Sequence, residues 1–350
     1  MSSGLIIAFL YIAAGFILLY YGGDWLIIGA VRLAVKLNVS PVLVALTVVA
    51  FGTSLPEFLV SGLSACTGHP VIAVGNILGS NICNICLVAG ACAMIANPMK
   101  GDKIVASRDM WMLVISTGMF WFLGKDLLFS FSDGILLITL FVGYITYLVY
   151  SELRGRKAPK KKAPSVKESG VTSAKEIDPS NELEDESHLA VGEDLLEEFV
   201  DDSDSVGCYR YILAGLIMLP AGAHLLVIGG IDLARILGIS ERFISMTVVS
   251  WGTSLPEFAT SVAAAMRGHS AMCVGNVVGS NIFNTLMIGG VTSLFVSIKF
   301  ASVALKVDFI LVCIATIVFA FLHRKGKEIS RIEGAFMLSG FLVMLYLLQY

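Results

Sequence analysis

One short sequence pattern occurs twice in this 350-residue chain, and it places residues that could bind a ligand inside apolar runs. The words FGTSLPEF (51–58) and WGTSLPEF (251–258) each put a Pro and a Glu in a long hydrophobic stretch. In the first copy, Thr53 and Ser54 precede Glu57 by four and three residues, so hydroxyls and carboxylate share one helix face. Because Pro56 has no N–H to donate, the helix must kink and release carbonyls near residues 50–53. The pattern therefore predicts a cluster of oxygen ligands.

A second motif, also present twice, places polar residues along one face of the next apolar run; these residues are called the polar stripe. GNILGSNICN and GNVVGSNIFN space Asn, Ser and Asn at i, i+4 and i+8, beside two Gly residues that let another helix approach closely. The stripe residues are Asn76, Ser80, Asn84, Asn276, Ser280 and Asn284, and the glycines are Gly75, Gly79, Gly275 and Gly279. Taken alone, such residues could join helices or bind a ligand. Because a Glu lies near them in each half, ligand binding is the favoured interpretation.

The buried carboxylates require a positive partner. A carboxylate deep in a membrane costs at least about 2.5 kcal/mol, and the spans around Glu57 and Glu257 contain no Lys or Arg except Arg267 at an end. The compensating charge must come from an ion or a proton. A donor set of oxygen without Cys, His or Met suits Ca²⁺ or Na⁺; Mg²⁺ sheds water reluctantly, and Zn²⁺ or Cu⁺ would need N or S ligands. A neutral Glu pair that only packs between helices is the alternative.

The composition requires a membrane protein. The chain is 56% hydrophobic and 15% charged, with a mean hydropathy of +0.83, well outside the usage of soluble proteins. About 20 apolar residues cross a bilayer, which predicts an all-α protein of ten transmembrane helices. The predicted spans cover residues 5–34, 41–67, 71–96, 109–124, 133–151, 209–237, 242–266, 271–298, 303–322 and 332–349.

A charged segment divides the spans into two sets of five. Residues 152–206 hold 15 of the 27 acidic residues and begin with a basic run, as is typical of a solvated linker. The predicted units are a first repeat (1–151), this linker, and a second repeat (207–350). With the linker in the cytoplasm and both termini outside, 19 of the 24 Lys and Arg residues fall on the cytoplasmic side, as the positive-inside rule expects.

The two halves are an internal repeat. At an offset of 200 residues, 23 of 44 positions are identical between 47–90 and 247–290. Because each half contains five spans, the second half enters the membrane from the opposite side, so the repeats are inverted. Inverted repeats with a site at the midplane are a recurring plan of secondary transporters.

These paired words resemble the alpha-repeat motifs of the cation/calcium exchanger superfamily, and within it the sodium/calcium exchangers. The resemblance implies a fold of ten helices in two inverted halves, with spans two, three, seven and eight around the ions and spans one and six as a gate. It also implies that Ca²⁺ is held by the Glu57 and Glu257 carboxylates and the carbonyls of Thr53 and Thr253. The implied Na⁺ sites use Ser54, Ser254, Ser80, Ser280 and the carbonyls of Ala50 and Ser250, with Asn84 and Asn284 flanking the centre. Some members, including the potassium-dependent exchangers, carry Asp where this chain has Asn284.

The sequence thus predicts an antiporter of the plasma or inner membrane, with Ca²⁺ and Na⁺ as its substrates. The stoichiometry that the resemblance implies is three Na⁺ per Ca²⁺. A proton-driven or other-cation exchanger remains an alternative, since a buried Glu pair can also bind protons, whereas a pure channel is disfavoured. An intramembrane enzyme is disfavoured because no catalytic pair of residues is evident. No catalytic residue, cofactor or nucleic-acid partner is predicted, a monomer should suffice for transport, and the linker could sense Ca²⁺.

Overall fold

The computed structural model describes residues 2–37, 39–66, 68, 70–96, 98–101, 105–157, 207–236, 250–299, 303–326 and 328–347. Most of the predicted linker and the beginning of the predicted seventh span lie outside these residues. Elsewhere, the predicted spans are helical over the parts that the structure describes, except at the turns of Ser54 and Ser254 and at residues 296–298, where the eighth predicted span ends. The prediction of an all-α membrane fold is confirmed.

Within the described residues, the first half contains three continuous helices and two interrupted spans. Its helices are α1 (Ser2–Leu37), α2 (Pro41–Val44), α3 (Ala50–Thr53), α4 (Leu55–Cys66), α5 (Pro70–Ile82), α6 (Ala89–Ala96), α7 (Met110–Gly124) and α8 (Phe131–Lys157). The continuous helices are α1, α7 and α8. Three π-helical turns interrupt this series, at Ala45–Val49, Cys83–Val88 and Val105–Asp109. The second and third spans are therefore built from short helical pieces in series.

The second half repeats this order. Its helices are α9 (Gly207–Ile236), α10 (Ser250–Thr253), α11 (Leu255–Met266), α12 (Ser270–Ile282), α13 (Gly289–Phe295), α14 (Val303–Gly326) and α15 (Arg331–Leu347). A π-helical turn at Phe283–Ile288 again separates the two parts of the stripe helix.

Long apolar helices are the clearest membrane spans. Within the described residues, four segments are long and apolar enough to cross a bilayer unaided: Gly4–Leu37, Ala73–Ala96, Phe131–Ser151 and Ser270–Phe295. A fifth forms when Pro41–Thr53 and Leu55–Cys66, which meet at 45°, are taken together. The bend in this second span is the one that Pro56 predicts.

In the part of the chain that the structure describes, two short antiparallel strand pairs join the halves. Strand β1 (Met99–Lys100) pairs with β4 (Glu328–Ile329), and β2 (Leu128–Phe129) pairs with β3 (Ile298–Lys299). Because β1 precedes α7 and β2 follows it, the two pairs lie at opposite ends of that helix. The 200-residue offset relates β2 to β4, and relates β1 to β3 to within one residue. If the two halves are exchanged, the pair β1–β4 therefore takes the place of the pair β2–β3 at the other end of the molecule. This confirms that the repeats are inverted.

The long helices α1 and α9 pack closely through small residues. A Cβ built on Gly222 would lie 2.9 Å from the carbonyl oxygen of Gly15, and one on Gly229 would lie 2.7 Å from that of Ala8. Such contacts bring the two backbones together, as is common between membrane helices. The two helices consequently form one unit beside the interrupted spans.

Helix α12 packs equally closely on the second span of the other half. Gly279 faces the carbonyl of Leu46, and Gly275 faces that of Val42. The whole stretch Met272–Ile282 is buried. This packing places the polar stripe of α12 beside the first GTSLPE pattern.

Gly279→Ala is expected to destabilise the protein. The added Cβ would lie 2.7 Å from the Leu46 carbonyl oxygen and 2.9 Å from the Ala50 Cβ, so the helices must separate, and overpacking costs about 1–3 kcal/mol. The measurement is the apparent unfolding midpoint in detergent. Gly143→Ala is the control, because its Cβ would meet nothing within 4 Å. A Gly279→Ala protein as stable as this control would contradict the close packing.

Candidate cation-binding site

The two GTSLPE patterns form a matched pair of helix breaks. Ser54 has φ −85° and ψ 9°, and Ser254 has φ −86° and ψ 3°. The Ser54 N–H still donates to the Ala50 carbonyl, at 3.1 Å. The carbonyl of Gly52, in contrast, receives no bond from Pro56, which lacks the donor. Each break thus exposes polar backbone immediately before a buried Glu.

The carboxylates and hydroxyls cross between the halves. Ser54 Oγ donates to Glu257 Oε1 at 2.7 Å, and Ser254 Oγ donates to Glu57 Oε1 at 3.2 Å. Both Glu side chains are fully buried. Each half therefore supplies a carboxylate that is bonded by a hydroxyl of the other half, and the two patterns form a single enclosure.

The two Thr hydroxyls bond to groups next to the carboxylates. Thr53 Oγ1 donates to the Ala50 carbonyl at 3.4 Å, within its own span. Thr253 Oγ1 donates to Asn76 Oδ1 at 3.3 Å, so this bond joins the GTSLPE pattern of the second half to the stripe helix of the first.

Many oxygens of this region have no hydrogen-bond partner in the part of the chain that the structure describes. Six of them are Glu57 Oε2, Glu257 Oε2, Ser80 Oγ, Ser280 Oγ, Asn84 Oδ1 and Asn284 Oδ1. All six side chains are fully buried. Buried polar groups are almost always bonded, since leaving one unpaired costs about 1–3 kcal/mol. Such a set of unpaired acceptors is suited to a hard cation that oxygen ligands can surround.

Basic side chains of the described residues do not neutralise the two carboxylates. Among the described residues, no Lys or Arg forms an ion pair with Glu57 or Glu257. The described residues also contain no group of three or more His, Cys, Asp or Glu side chains that could hold a metal. The site thus consists of two charged oxygen donors and a larger number of neutral ones.

Asn76 and Asn276 brace the Glu helices. Asn76 Nδ2 donates to Ser61 Oγ at 3.0 Å and to the Glu57 carbonyl at 3.3 Å, and Thr253 Oγ1 donates to Asn76 Oδ1 at 3.3 Å. Asn276 Nδ2 donates to Ser261 Oγ at 2.9 Å. These bonds fix the stripe helices against the helices that carry the carboxylates.

The remaining predicted positions lie on the same elements. Thr53 and Ala50 are buried, and so is Thr253. Ser250 is the first residue of α10. The structure therefore places every predicted site residue on one of the four central spans.

Sequence reasoning missed several polar residues of this region. Ser61 and Ser261 were not predicted, although both halves carry a Ser four residues after the Glu. Asn81 and Asn281 are also buried, and neither amide has a partner among the described residues. Their presence in both copies of GSNI was the available signal. The π-helical turns that begin just before Asn84 and Asn284 had no recognisable signal, although such turns are frequent at functional sites.

Comparisons with known proteins agree with this architecture. The family described as sodium/calcium exchanger protein matches residues 7–150 and 209–350. The chain is 34% identical to an uncharacterized membrane protein of Methanocaldococcus jannaschii over 95% of both proteins. It is 28% identical to the sodium/calcium exchanger MaX1 of Methanosarcina acetivorans over 98% of both.

A solved structure has the same fold. The sodium-calcium exchanger NCX_Mj, soaked with 10 mM Na⁺ and 10 mM Sr²⁺, matches with a TM-score of 0.77 and 31% sequence identity over 98% of both chains. The motifs, the inverted helical repeats and these matches lead to one conclusion: this chain is a multi-pass membrane protein that belongs to the sodium/calcium exchanger family.

Proposed function

We propose that the protein exchanges Na⁺ for Ca²⁺ across the membrane by alternating access. The observation that supports this most strongly is the crossed pair of Glu57 and Glu257, each bonded by a Ser of the opposite half. Their second carboxylate oxygens have no partner in the described part of the chain. The related NCX_Mj, named a sodium-calcium exchanger, supports the identity of the two ions.

Competition for one site explains the coupling. Two carboxylates balance the charge of one Ca²⁺, and the same oxygens with Ser80, Ser280, Asn84 and Asn284 provide positions for Na⁺. The Thr53 and Thr253 carbonyls complete the Ca²⁺ shell, and the Ala50 and Ser250 carbonyls complete the Na⁺ sites. Since both ions need the carboxylates, each loads only when the other has left.

We also propose how the protein is oriented in the membrane. The turn at Arg267 and the strand pair β1–β4 lie at one end of the molecule, because Ser270 Oγ donates to the Lys100 carbonyl at 3.0 Å. The positive-inside rule assigns this end to the cytoplasm, together with the linker 152–206, and places both termini outside. The cell or inner membrane is the proposed location, and residues 1–151 and 207–350 are the two transport repeats.

Na⁺-loaded proteoliposomes diluted into Na⁺-free buffer are expected to accumulate ⁴⁵Ca²⁺. Glu57→Gln should abolish this uptake, because it removes one of the two charges that hold the ion. Glu328→Gln is the matched control, since Glu328 is an exposed carboxylate in the β1–β4 strand pair, and its uptake should match that of the wild type. Equal uptake without a Na⁺ gradient would refute the exchange, and uptake driven equally by a pH gradient would identify a proton exchanger instead.

Ca²⁺ should also stabilise the purified protein. A ligand at 100 times its Kd adds about 2.7 kcal/mol to the free energy of unfolding, so the unfolding midpoint in detergent should rise with Ca²⁺. The rise should disappear in Glu257→Gln and persist in Glu328→Gln. Excess Na⁺ should suppress the additional effect of Ca²⁺, because the ions compete. A Ca²⁺ shift that survives Glu257→Gln would place the ion elsewhere.

Exchange of three Na⁺ for one Ca²⁺ should be sensitive to voltage. One net positive charge leaves the vesicle for each Ca²⁺ that enters, and one charge is worth about 2.3 kcal/mol per 100 mV. A K⁺ gradient with valinomycin can set the potential. Inside-positive vesicles should take up ⁴⁵Ca²⁺ faster, and inside-negative ones more slowly. Identical rates at both potentials would indicate electroneutral exchange of two Na⁺.

A further inference from the structure

An ion pair joins the long helix α1 to the turn that follows α11. Arg267 Nε donates to Asp24 Oδ1 at 2.6 Å, and the Arg267 Nη2 atom contacts the same oxygen. Asp24 lies within the apolar segment Gly4–Leu37, where a carboxylate is costly and usually has a function. The two side chains are about one quarter exposed, at 26% and 28%.

The ion pair lies where the long helix α1 contacts helix α11. Helix α1 packs chiefly on α9, and its next largest contact is with α11. There, a Cβ built on Gly23 would lie 3.0 Å from the Ala259 carbonyl oxygen. Helix α11 carries Glu257, and Arg267 follows ten positions later, a rise of about 15 Å along the helix axis. The Asp24–Arg267 pair therefore fastens the α1–α9 unit to a helix of the cation site.

The ion pair links the two halves, and exchange of the halves does not reproduce it. At the 200-residue offset, Asp24 corresponds to His224, and Arg267 corresponds to Thr67. These residues cannot form the same carboxylate–guanidinium pair. The two faces of the inverted fold therefore differ, and the difference lies at the face of the β1–β4 strand pair, where Ser270 contacts Lys100.

The side chains that line the recess beside Arg267 are compatible with the Asp24–Arg267 ion pair. Ile27, Ile28, Val31 and His269 line the recess beside Arg267. Burial, and then the charge of Arg267, lower the pKa of His269, so the imidazole is mostly neutral at pH 7 and does not compete with Arg267 for the carboxylate. Apolar neighbours also exclude water, which strengthens the attraction between two partly buried charges.

We propose that the Asp24–Arg267 ion pair is a clamp that holds the β1–β4 face closed and must break for the cation site to open to that face. The proposal rests on the alternating access proposed above. A transporter that exposes one site to two faces in turn needs contacts that exist in only one state, because only a differential interaction can shift the equilibrium between states. The pair joins the α1–α9 unit to α11, so separation of these elements would break it.

Apparent Ca²⁺ affinity at each face tests the clamp. Right-side-out and inverted membrane vesicles from the same cells give Na⁺-dependent ⁴⁵Ca²⁺ transport from the two sides. In Asp24→Asn and Arg267→Gln, the state open to the β1–β4 face becomes more populated. The apparent affinity should therefore rise about two- to fivefold at that face and fall at the other, as expected for loss of a partly exposed ion pair.

Rescue and control variants separate a clamp from general damage. The charge swap Asp24→Arg with Arg267→Asp should return both affinities toward the wild type. Arg267→Lys is a milder change that can be used if the neutral variants fold poorly, and it should give a smaller shift in the same directions as they do. Glu328→Gln breaks the exposed Lys100–Glu328 pair at the same face and should change neither. Affinities that are unchanged, or that move together at both faces, or that the swap does not restore, would overturn the clamp. Wild-type vesicles without Na⁺-dependent transport would instead refute the proposed exchange itself.

Discussion

The burial of two carboxyl groups determines how the helices around them are built. Glu57 and Glu257 are inaccessible to solvent, and no basic side chain of the described residues forms an ion pair with either. Such a pair is stable in an apolar surrounding only when a cation or protons compensate it. The broken helices, the π-helical turns and the neighbouring hydroxyls and amides all bring oxygen atoms to the place where that compensation is needed.

Neither half of the chain can build this site alone. Ser54 reaches the carboxylate of the second half, and Ser254 reaches that of the first, so the site exists only when the inverted repeats are joined. The strand pairs β1–β4 and β2–β3 join them at opposite ends. The approximate twofold symmetry makes the two approaches to the site similar, and the Asp24–Arg267 pair distinguishes one approach from the other.

Much of this arrangement is readable from the sequence, because the polar residues stand out against an apolar background and occur twice. The repeat, the inversion and the helix break at Pro56 follow from span count and from elementary backbone chemistry. The crossing of Ser54 to Glu257 could not be predicted, since it depends on how two distant segments pack through Gly279. The π-helical turns also escaped prediction, because their residues have no composition that distinguishes them from an ordinary helix. The brace formed by Ser61 and Asn76 was visible in the repeat but was not recognised as part of the site.

We propose that one enclosure between the halves binds either ion. Anomalous diffraction from crystals soaked in Sr²⁺, a heavy substitute for Ca²⁺, distinguishes this arrangement from separate sites. At low Na⁺, a single strong peak is expected between the Glu57 and Glu257 carboxylates, and at high Na⁺ this peak should vanish. A Sr²⁺ peak away from both carboxylates, or one that Na⁺ leaves unchanged, would show that the two ions do not share this enclosure.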